Sequence, residues 1–359
     1  MVRAGLRVAV LDRATFPRVK LCAGWLSAPI WDALELRPAD YPGGLWAWDR
    51  CHVDFGGRRY TTRARGWFIR RLELDAWLLA KSGADVHQIA VKQIDSDGND
   101  WVIEDRFRAR WLIGAGGTHC PVARSLFPAR PGRPVGAREL ELHADPEAIA
   151  AARIGADGEP QLLLHDDLRG YSWNIPKTDW LNVGSGTMDA RQVLAAWQDA
   201  RAHFAAAVPR EVDPALEHMK GHSYYLFDPA HLEAASSGHA LLVGDALGLA
   251  QPLTAEGIFP GVLSGRIAAG AIAEDAAADY GRRLASHPVF RDYAVLHAAR
   301  EAGASLRNGD DRPRGVARAA VRRLTDPLVA GGFAWLFGGK PLPAGRLLHR
   351  IATRSARSS

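Results

Sequence analysis

The residues best equipped for chemistry lie between Ala240 and Ile258, in the run Ala-Leu-Leu-Val-Gly-Asp-Ala-Leu-Gly-Leu-Ala-Gln-Pro-Leu-Thr-Ala-Glu-Gly-Ile. An apolar strand ends there in Gly244-Asp245. The turn Pro252-Leu253-Thr254 follows, and Gly257-Ile258 opens a long helix rich in alanine, glycine and serine. An aspartate at a strand end can accept a hydrogen bond from a sugar-alcohol hydroxyl. A helix N-terminus offers unpaired amides and a positive dipole end, which stabilise negative charge on a ring laid against them. A flavin needs both, one at its ribityl chain and one at its reduced ring edge. An ordinary strand-turn-helix is the alternative. The full order of strand, Gly-Asp, Pro-Leu-Thr and Glu-Gly is much rarer than a Gly-Asp pair alone.

Three further segments carry candidate residues. Arg7–Asp12 reads as a buried parallel strand, and a carboxylate at its end, Asp12, is placed to accept ribose hydroxyls. Phe16-Pro17-Arg18 and Lys20-Leu-Cys22-Ala-Gly24 follow, with Arg18 and Lys20 either near phosphates or solvated. Gly116 and Gly117, in Trp111-Leu-Ile-Gly-Ala-Gly-Gly-Thr-His-Cys-Pro-Val-Ala-Arg124, permit close backbone approach to a ligand. In Gly170-Tyr-Ser-Trp-Asn-Ile-Pro-Lys177, Tyr171 and Trp173 are two apart and share one side of a strand. They can wall an apolar pocket or simply pack a core. No histidine spacing suggests a metal or a triad, and no metal is expected.

Together these segments resemble the geranylgeranyl reductase family of FAD-dependent oxidoreductases, over residues of about 5 to 275. The family carries an acidic residue after its second strand, a Lys-x-Cys-x-Gly segment, a second glycine motif and a Tyr-x-Trp-x-Phe-Pro-Lys motif. The resemblance implies a glutathione-reductase-like, Rossmann-type α/β FAD-binding domain with an antiparallel β-sheet substrate domain and a helical C-terminus. It places Cys22 near the reactive flavin edge, to shape the pocket or help deliver a proton; the alternative is a small buried hydrophobe. It also matches Arg71 and Asp75 to an Arg-x-x-x-Asp pattern. Expected FAD contacts are Asp12, Arg18, Cys22, Arg71, Gly116, Gly117, Gly244, Asp245, Pro252, Thr254, Gly257 and Ile258. Expected catalytic residues are Cys22, Tyr171 and Trp173. Glu256 is expected to assist the following helix electrostatically. Ala255 stands where the family usually has glycine, at a cost of roughly 1 kcal/mol if positive φ is needed.

Such proteins open with a strand and a Gly-x-Gly-x-x-Gly turn. Here Met1-Val-Arg-Ala-Gly-Leu-Arg7 reads as the tail of the first helix, and Gly114-Ala-Gly116-Gly-Thr-His119 has histidine at the third glycine position. The chain is therefore expected to be N-terminally truncated, through a late start codon or a broken gene. The expected activity is reduction of carbon–carbon double bonds in an apolar, isoprenoid-like substrate, with NAD(P)H or another donor reducing the flavin. A flavin monooxygenase or halogenase is the second reading. Tyr-Ser-Trp-Asn-Ile-Pro is close to a halogenase Trp-x-Trp-x-Ile-Pro, but its tyrosine and the Lys-x-Cys segment argue against that. A non-catalytic remnant that no longer holds FAD is the third.

The elements that must position these residues follow from pattern. Pro29–Leu36 suggests a short helix, Cys51–Tyr60 a hairpin turning at Gly56-Gly57, and Leu72–Lys81 a helix. Asp85–Ile94 and Trp101–Ile113 suggest a small antiparallel layer. Val135–His143, Gln161–His165, Tyr171–Pro176 and Leu181–Gly186 suggest a second sheet, and Ala190–Ala206 a helix. The expected domains are 1–130 and 236–280 for FAD, 131–235 for substrate, and 281–359 as a helical C-terminal region.

The chain has 359 residues, a net charge of +5 and three widely spaced cysteines, which form neither a disulfide framework nor a zinc pattern. They suit a reducing cytosol. No stretch is apolar enough for a membrane span. Nine arginines between Arg312 and Arg357 surround an apolar stretch at 327–338. This is either a membrane-peripheral contact or a packed helical pair with a solvated basic face. No nucleic-acid module accompanies the charge.

Overall fold

The computed structural model describes residues 1–143, 145, 147, 159–177, 179–204, 219–308, 329, 332, 333 and 336. The arginine-rich C-terminus and most of 327–338 lie outside the described residues.

Strand β1 (Ala9–Asp12) is followed by β2 (Trp25–Ser27), helix α1 (Ile30–Leu34), the hairpin of β3 (Trp46–Phe55) and β4 (Arg58–Phe68), and helix α2 (Arg71–Ser82). Strands β5 (Asp85–Gln88), β6 (Ile94–Asp97), β7 (Asp100–Ile103), β8 (Phe107–Ala109) and β9 (Leu112–Gly114) lead to α3 (Pro121–Leu126). Strands β10 (Val135–His143), β11 (Gln161–Leu164), β12 (Gly170–Lys177) and β13 (Trp180–Thr187) precede α4 (Val193–Phe204). Strands β14 (Lys220–Tyr224), β15 (Ser236–Ser237) and β16 (Ala240–Leu242) then lead to α5 (Ile258–Ala273), α6 (Tyr280–Ser286) and α7 (Pro288–Asn308).

The parallel pairing falls into two pieces. β1 pairs β5, with Asp12 opposite Gln88. β9 pairs β16, which carries β15 antiparallel on its other edge. Two expectations need correction here. β1 is not buried, because it has a single partner strand and Ala9 is exposed. Residues 85–88 belong to this parallel pair, and only β6, β7 and β8 form the antiparallel meander.

The large sheet has eight strands in the order β14-β10-β13-β12-β11-β3-β4-β2. It draws β2, β3 and β4 from residues 25–68, upstream of the span that supplies β10 to β14. Trp25, Trp48, Phe68, Trp173 and Ile175 pack on one side of it. Leu181, Val183, Trp197 and Phe204 pack together beside α4. A sheet covered on both faces explains why β13 is buried along nearly its whole length. β16 and the small-residue face of α5 share a separate core with Tyr280, Leu284 and Phe290. The Tyr280 hydroxyl donates to the Leu242 carbonyl at 2.9 Å, pinning the strand end beside the site.

Trp173 lies across Gly184, its cross-strand partner. A Cβ at Gly184 would stand 2.3 Å from the indole ring. Gly184→Ala is expected to displace that ring and cost about 1–3 kcal/mol, the usual penalty of overpacking, measured by denaturant unfolding.

Candidate active site

A cavity of about 330 Å³ lies where the N-terminus of α5, the loop after β1 and the large sheet meet. Gly244 follows β16 with φ of 55°, and its amide donates to Ser264 Oγ at 3.0 Å. A Cβ there would lie 3.3 Å from the Gly261 Cα, so small residues on both sides allow the turn to approach α5. Gly257 caps the helix without a side-chain bond, and a Cβ on it would stand 3.0 Å from Asp245 Oδ1. The first turn of α5 therefore presents bare backbone and a positive dipole end beside the Asp245 carboxylate.

The turn before α5 is held by Gln251. Its Oε1 accepts from the amides of Leu253 and Thr254, and its carbonyl accepts from Ala255 N–H. The Tyr171 hydroxyl donates to the Thr254 carbonyl at 2.6 Å, tying the large sheet to the turn. Ala255 has φ of 58°, the left-handed value that glycine adopts without strain. Glu256 points away from a capping role: its carboxylate accepts from Ser27 Oγ at 2.7 Å and from the Ser27 amide.

On the facing wall, Cys22 Sγ accepts from the Gly24 amide at 3.3 Å and lies beside the Arg71 guanidinium. Burial pushes the Cys22 thiol upward in pKa, against the opposing pull of Arg71. Burial also lowers Lys20. Arg71 forks onto Asp75 at 2.6 and 2.8 Å. Arg18 bridges Asp75, at 3.5 Å, to Asp12, at 3.8 Å. An ion-pair chain thus runs from the end of β1 to the cavity wall.

Two carboxyls in the wall are held well above their ordinary range. Glu139, on β10 and only 3% exposed, is raised to about 7 by burial, with Lys177 and the Cys22 amide pulling the other way. Glu256 is also raised to about 7 by burial, opposed by its bonds from Ser27. Burial likewise raises the hydroxyls of Tyr171 and Tyr224.

Of the residues expected from sequence, Cys22, Arg71, Gly117, Tyr171, Trp173, Gly244, Asp245, Thr254, Gly257 and Ile258 all line this cavity. Asp12 and Arg18 do not; they reach it through Asp75. Gly116 does not line it either, since a Cβ there would meet Cys120 at 3.1 Å, a packing role. Pro252 borders a second, apolar cavity of about 620 Å³, which shares Tyr171, Tyr224 and Ala255 with the first. Val329, Phe333 and Leu336 from the apolar C-terminal stretch face that second cavity. Glu139, Tyr224, His222 and Gln251 were not expected. Sequence carried no signal for Glu139: Leu140 and Leu142 alternate with Glu139 and Glu141, so the acids read as the solvent face of the strand. Among the described residues no cluster could hold a metal, and no helix is long and apolar enough to cross a membrane.

No family model matches the chain. Digeranylgeranylglycerophospholipid reductase 1 of Methanopyrus kandleri is 25% identical over 304 residues, covering 74% of this chain and 73% of the relative. Menaquinone reductase of Mycobacterium tuberculosis is 26% identical over 321 residues, covering 74% and 71%. The chain is a distant homologue of the geranylgeranyl and menaquinone reductases. Its fold matches solved FAD-dependent oxidoreductase structures. A geranylgeranyl bacteriochlorophyll reductase-like protein from Thermoplasma acidophilum superposes with a TM-score of 0.62 at 18% identity, covering 84% of this chain and 82% of that one.

Two outcomes follow from this geometry. Ala255→Gly is expected to relieve the left-handed strain and raise stability by about 0.5–1 kcal/mol after the entropy cost of glycine, read as a higher thermal midpoint. The second concerns pH. Glu139 and Glu256 keep in the folded chain a proton that an unfolded carboxyl releases near 4.5. Their stabilising contribution is complete below that value and is lost as pH rises through about 7. The Glu139→Gln/Glu256→Gln double variant should show a smaller fall in thermal midpoint between about pH 5 and pH 8 than the unaltered chain. An equal fall would contradict the raised carboxyls.

Proposed function

We propose that this chain binds FAD and reduces carbon–carbon double bonds of an apolar, isoprenoid-like substrate. One observation carries the reading. A glycine-lined helix N-terminus with an adjacent aspartate faces an aromatic wall holding a neutral thiol and a buried acid, and that wall shares Tyr171 and Tyr224 with a larger apolar cavity.

The residues present fit the flavin-ring end of FAD, because a Cβ at Gly244 or Gly257 would crowd the backbone turn and the carboxylate that must meet it. Asp245 would take a ribityl hydroxyl. The amides of Gly257 and Ile258 would face the ring edge that carries negative charge on reduction. Asp12 and Arg18 would serve the adenosine and phosphate end. When bound and reduced, FAD supplies a hydride equivalent to one alkene carbon.

The chain's own residues do the rest. Tyr171 and Trp173, with ring centroids 5.9 Å apart, exclude water and give an alkene a flat apolar surface. Tyr171 is anchored through its hydroxyl, and its ring lines both cavities. Leu164, Leu168, Leu226, Leu253 and Leu296 line the second cavity, which suits the continuing hydrocarbon of a substrate whose double bond sits in the first. A polyprenyl chain has this form, in keeping with the digeranylgeranyl lipid and menaquinone named for the two relatives. NAD(P)H or another donor would reduce the flavin.

The test is product mass. The chain loaded with FAD, freed of excess and chemically reduced, is incubated with polyprenyl alcohols, polyprenyl phosphates and a menaquinone. A gain of two hydrogens per double bond is expected. Unchanged mass across the series, from protein that retains flavin absorbance, would overturn the reading.

A further inference from the structure

Saturating a carbon–carbon double bond takes a hydride on one carbon and a proton on the other, and the proton must come from the cavity wall. The wall offers few acids. The Tyr171 and Tyr224 hydroxyls are raised by burial and hold their protons too firmly. The Cys22 thiol is raised too, and its sulfur already serves Gly24 and Arg71. Glu256 is occupied by both donors of Ser27.

Glu139 is placed differently. It sits on β10, among Cys22, Tyr171, Trp173 and Tyr224 on the cavity surface, and is almost wholly buried. The Cys22 backbone lies beside its carboxyl and favours the charged form. We propose that Glu139 is the proton donor of the reductive step, a role that rests on the alkene-reductase reading above.

The balance is simple. As hydride reaches one alkene carbon, the π pair forms the second C–H bond with the Glu139 proton, and the O–H pair stays behind as carboxylate. The wall is built to receive that charge. The Cys22 backbone and the cations Lys177 from β12 and Arg71 from α2 lie close enough to favour ionisation. Glu141, two residues along β10, opposes it, but Lys177 Nζ bonds Glu141 at 2.7 Å and offsets that charge. Tyr224 and Cys22 face Glu139 as neutral groups. Gly184 stands opposite on β13, and Lys220, opposite on β14, is exposed. The proton is restored from solvent after product leaves. An acid poised near neutrality suits such a cycle, since it is protonated in the resting site yet gives up its proton readily.

Infrared titration of the full chain tests the assignment without any turnover. The carbonyl stretch of protonated carboxyls is expected to titrate near pH 7, to weaken in Glu139→Gln by the share that Glu256→Gln leaves behind, and to vanish in the double variant. With FAD bound and pre-reduced, Glu139→Gln should keep its flavin absorbance yet reduce alkene about 100-fold more slowly. Its residual rate should not share the unaltered enzyme's decline above neutral pH. Glu139→Asp, which keeps a carboxyl, should recover part of the rate. An infrared band untouched by Glu139→Gln, or a Glu139→Gln rate equal to that of the unaltered enzyme, overturns the proposal. Should the unaltered enzyme bind flavin and reduce no alkene, the functional reading fails and the donor role with it. The infrared band still decides the protonation of Glu139 independently in that case.

Discussion

A single buried ammonium joins the parts of this site. Lys177, at the end of β12, is fully buried, and its Nζ donates to Glu141 at 2.7 Å and to the Ile69 carbonyl at 2.9 Å. Removing such a charge from water costs several kcal/mol, so it persists only where its partners are fixed. Those partners lie on β10 and at the junction between β4 and α2. The same junction grips the loop of Cys22, because the Ile69 amide donates to the Gly24 carbonyl at 2.9 Å. Gly24 has φ of 73°, and a Cβ on it would lie 1.9 Å from the Ile69 oxygen and 3.0 Å from the Lys177 nitrogen. Only glycine lets the loop close onto the ammonium. Cys22, Arg71 and Glu139 inherit their positions from that closure.

The opposite wall is organised by close backbone approach rather than charge. Gly244, Gly257 and Gly261 let a strand end and a helix start meet with no side chain between them, and Ser264 satisfies the Gly244 amide. That wall leaves amides free toward the cavity, while the Lys177 wall pairs its cations with carboxylates and holds Cys22, Tyr171 and Tyr224 neutral by burial. The two halves are therefore electrostatically unlike. One favours negative charge on a ring laid against it, and the other offers aromatic surface with its charges paired. Tyr171 joins them through its bond to the Thr254 carbonyl.

Much of this was legible in the sequence because it depends on short-range chemistry. The Gly244-Asp245 turn, the helix start at Gly257 and the shared side of Tyr171 and Trp173 follow from residue type and a spacing of two or three. Positive φ at Ala255 was foreseeable for the same reason. The large sheet was not legible as a whole, since β3, which brings β4 and β2 with it, joins β11 across more than a hundred residues of chain. The exposure of β1 also escaped, because an apolar run does not reveal how many neighbours it will have. Glu139 was hidden for a related reason: its chemistry comes from burial, and burial is set by strands and loops distant in sequence.

The two cavities give Tyr171 a further consequence. Its ring is fixed at both ends, by strand β12 and by the hydroxyl bond, and it lies 5.4 Å from Phe333 on the second cavity's side. A ring so held cannot swing aside without breaking a buried hydrogen bond, which costs about 1–3 kcal/mol. A short apolar molecule could fill either cavity alone and gain nothing from the other. A long flexible chain passing the Tyr171 edge would bury surface in both at once, and about 25 cal/mol per Å² of that surface would favour it. Selection for chain length in this architecture would thus arise from the anchored ring between the cavities, without any specific polar contact to the chain.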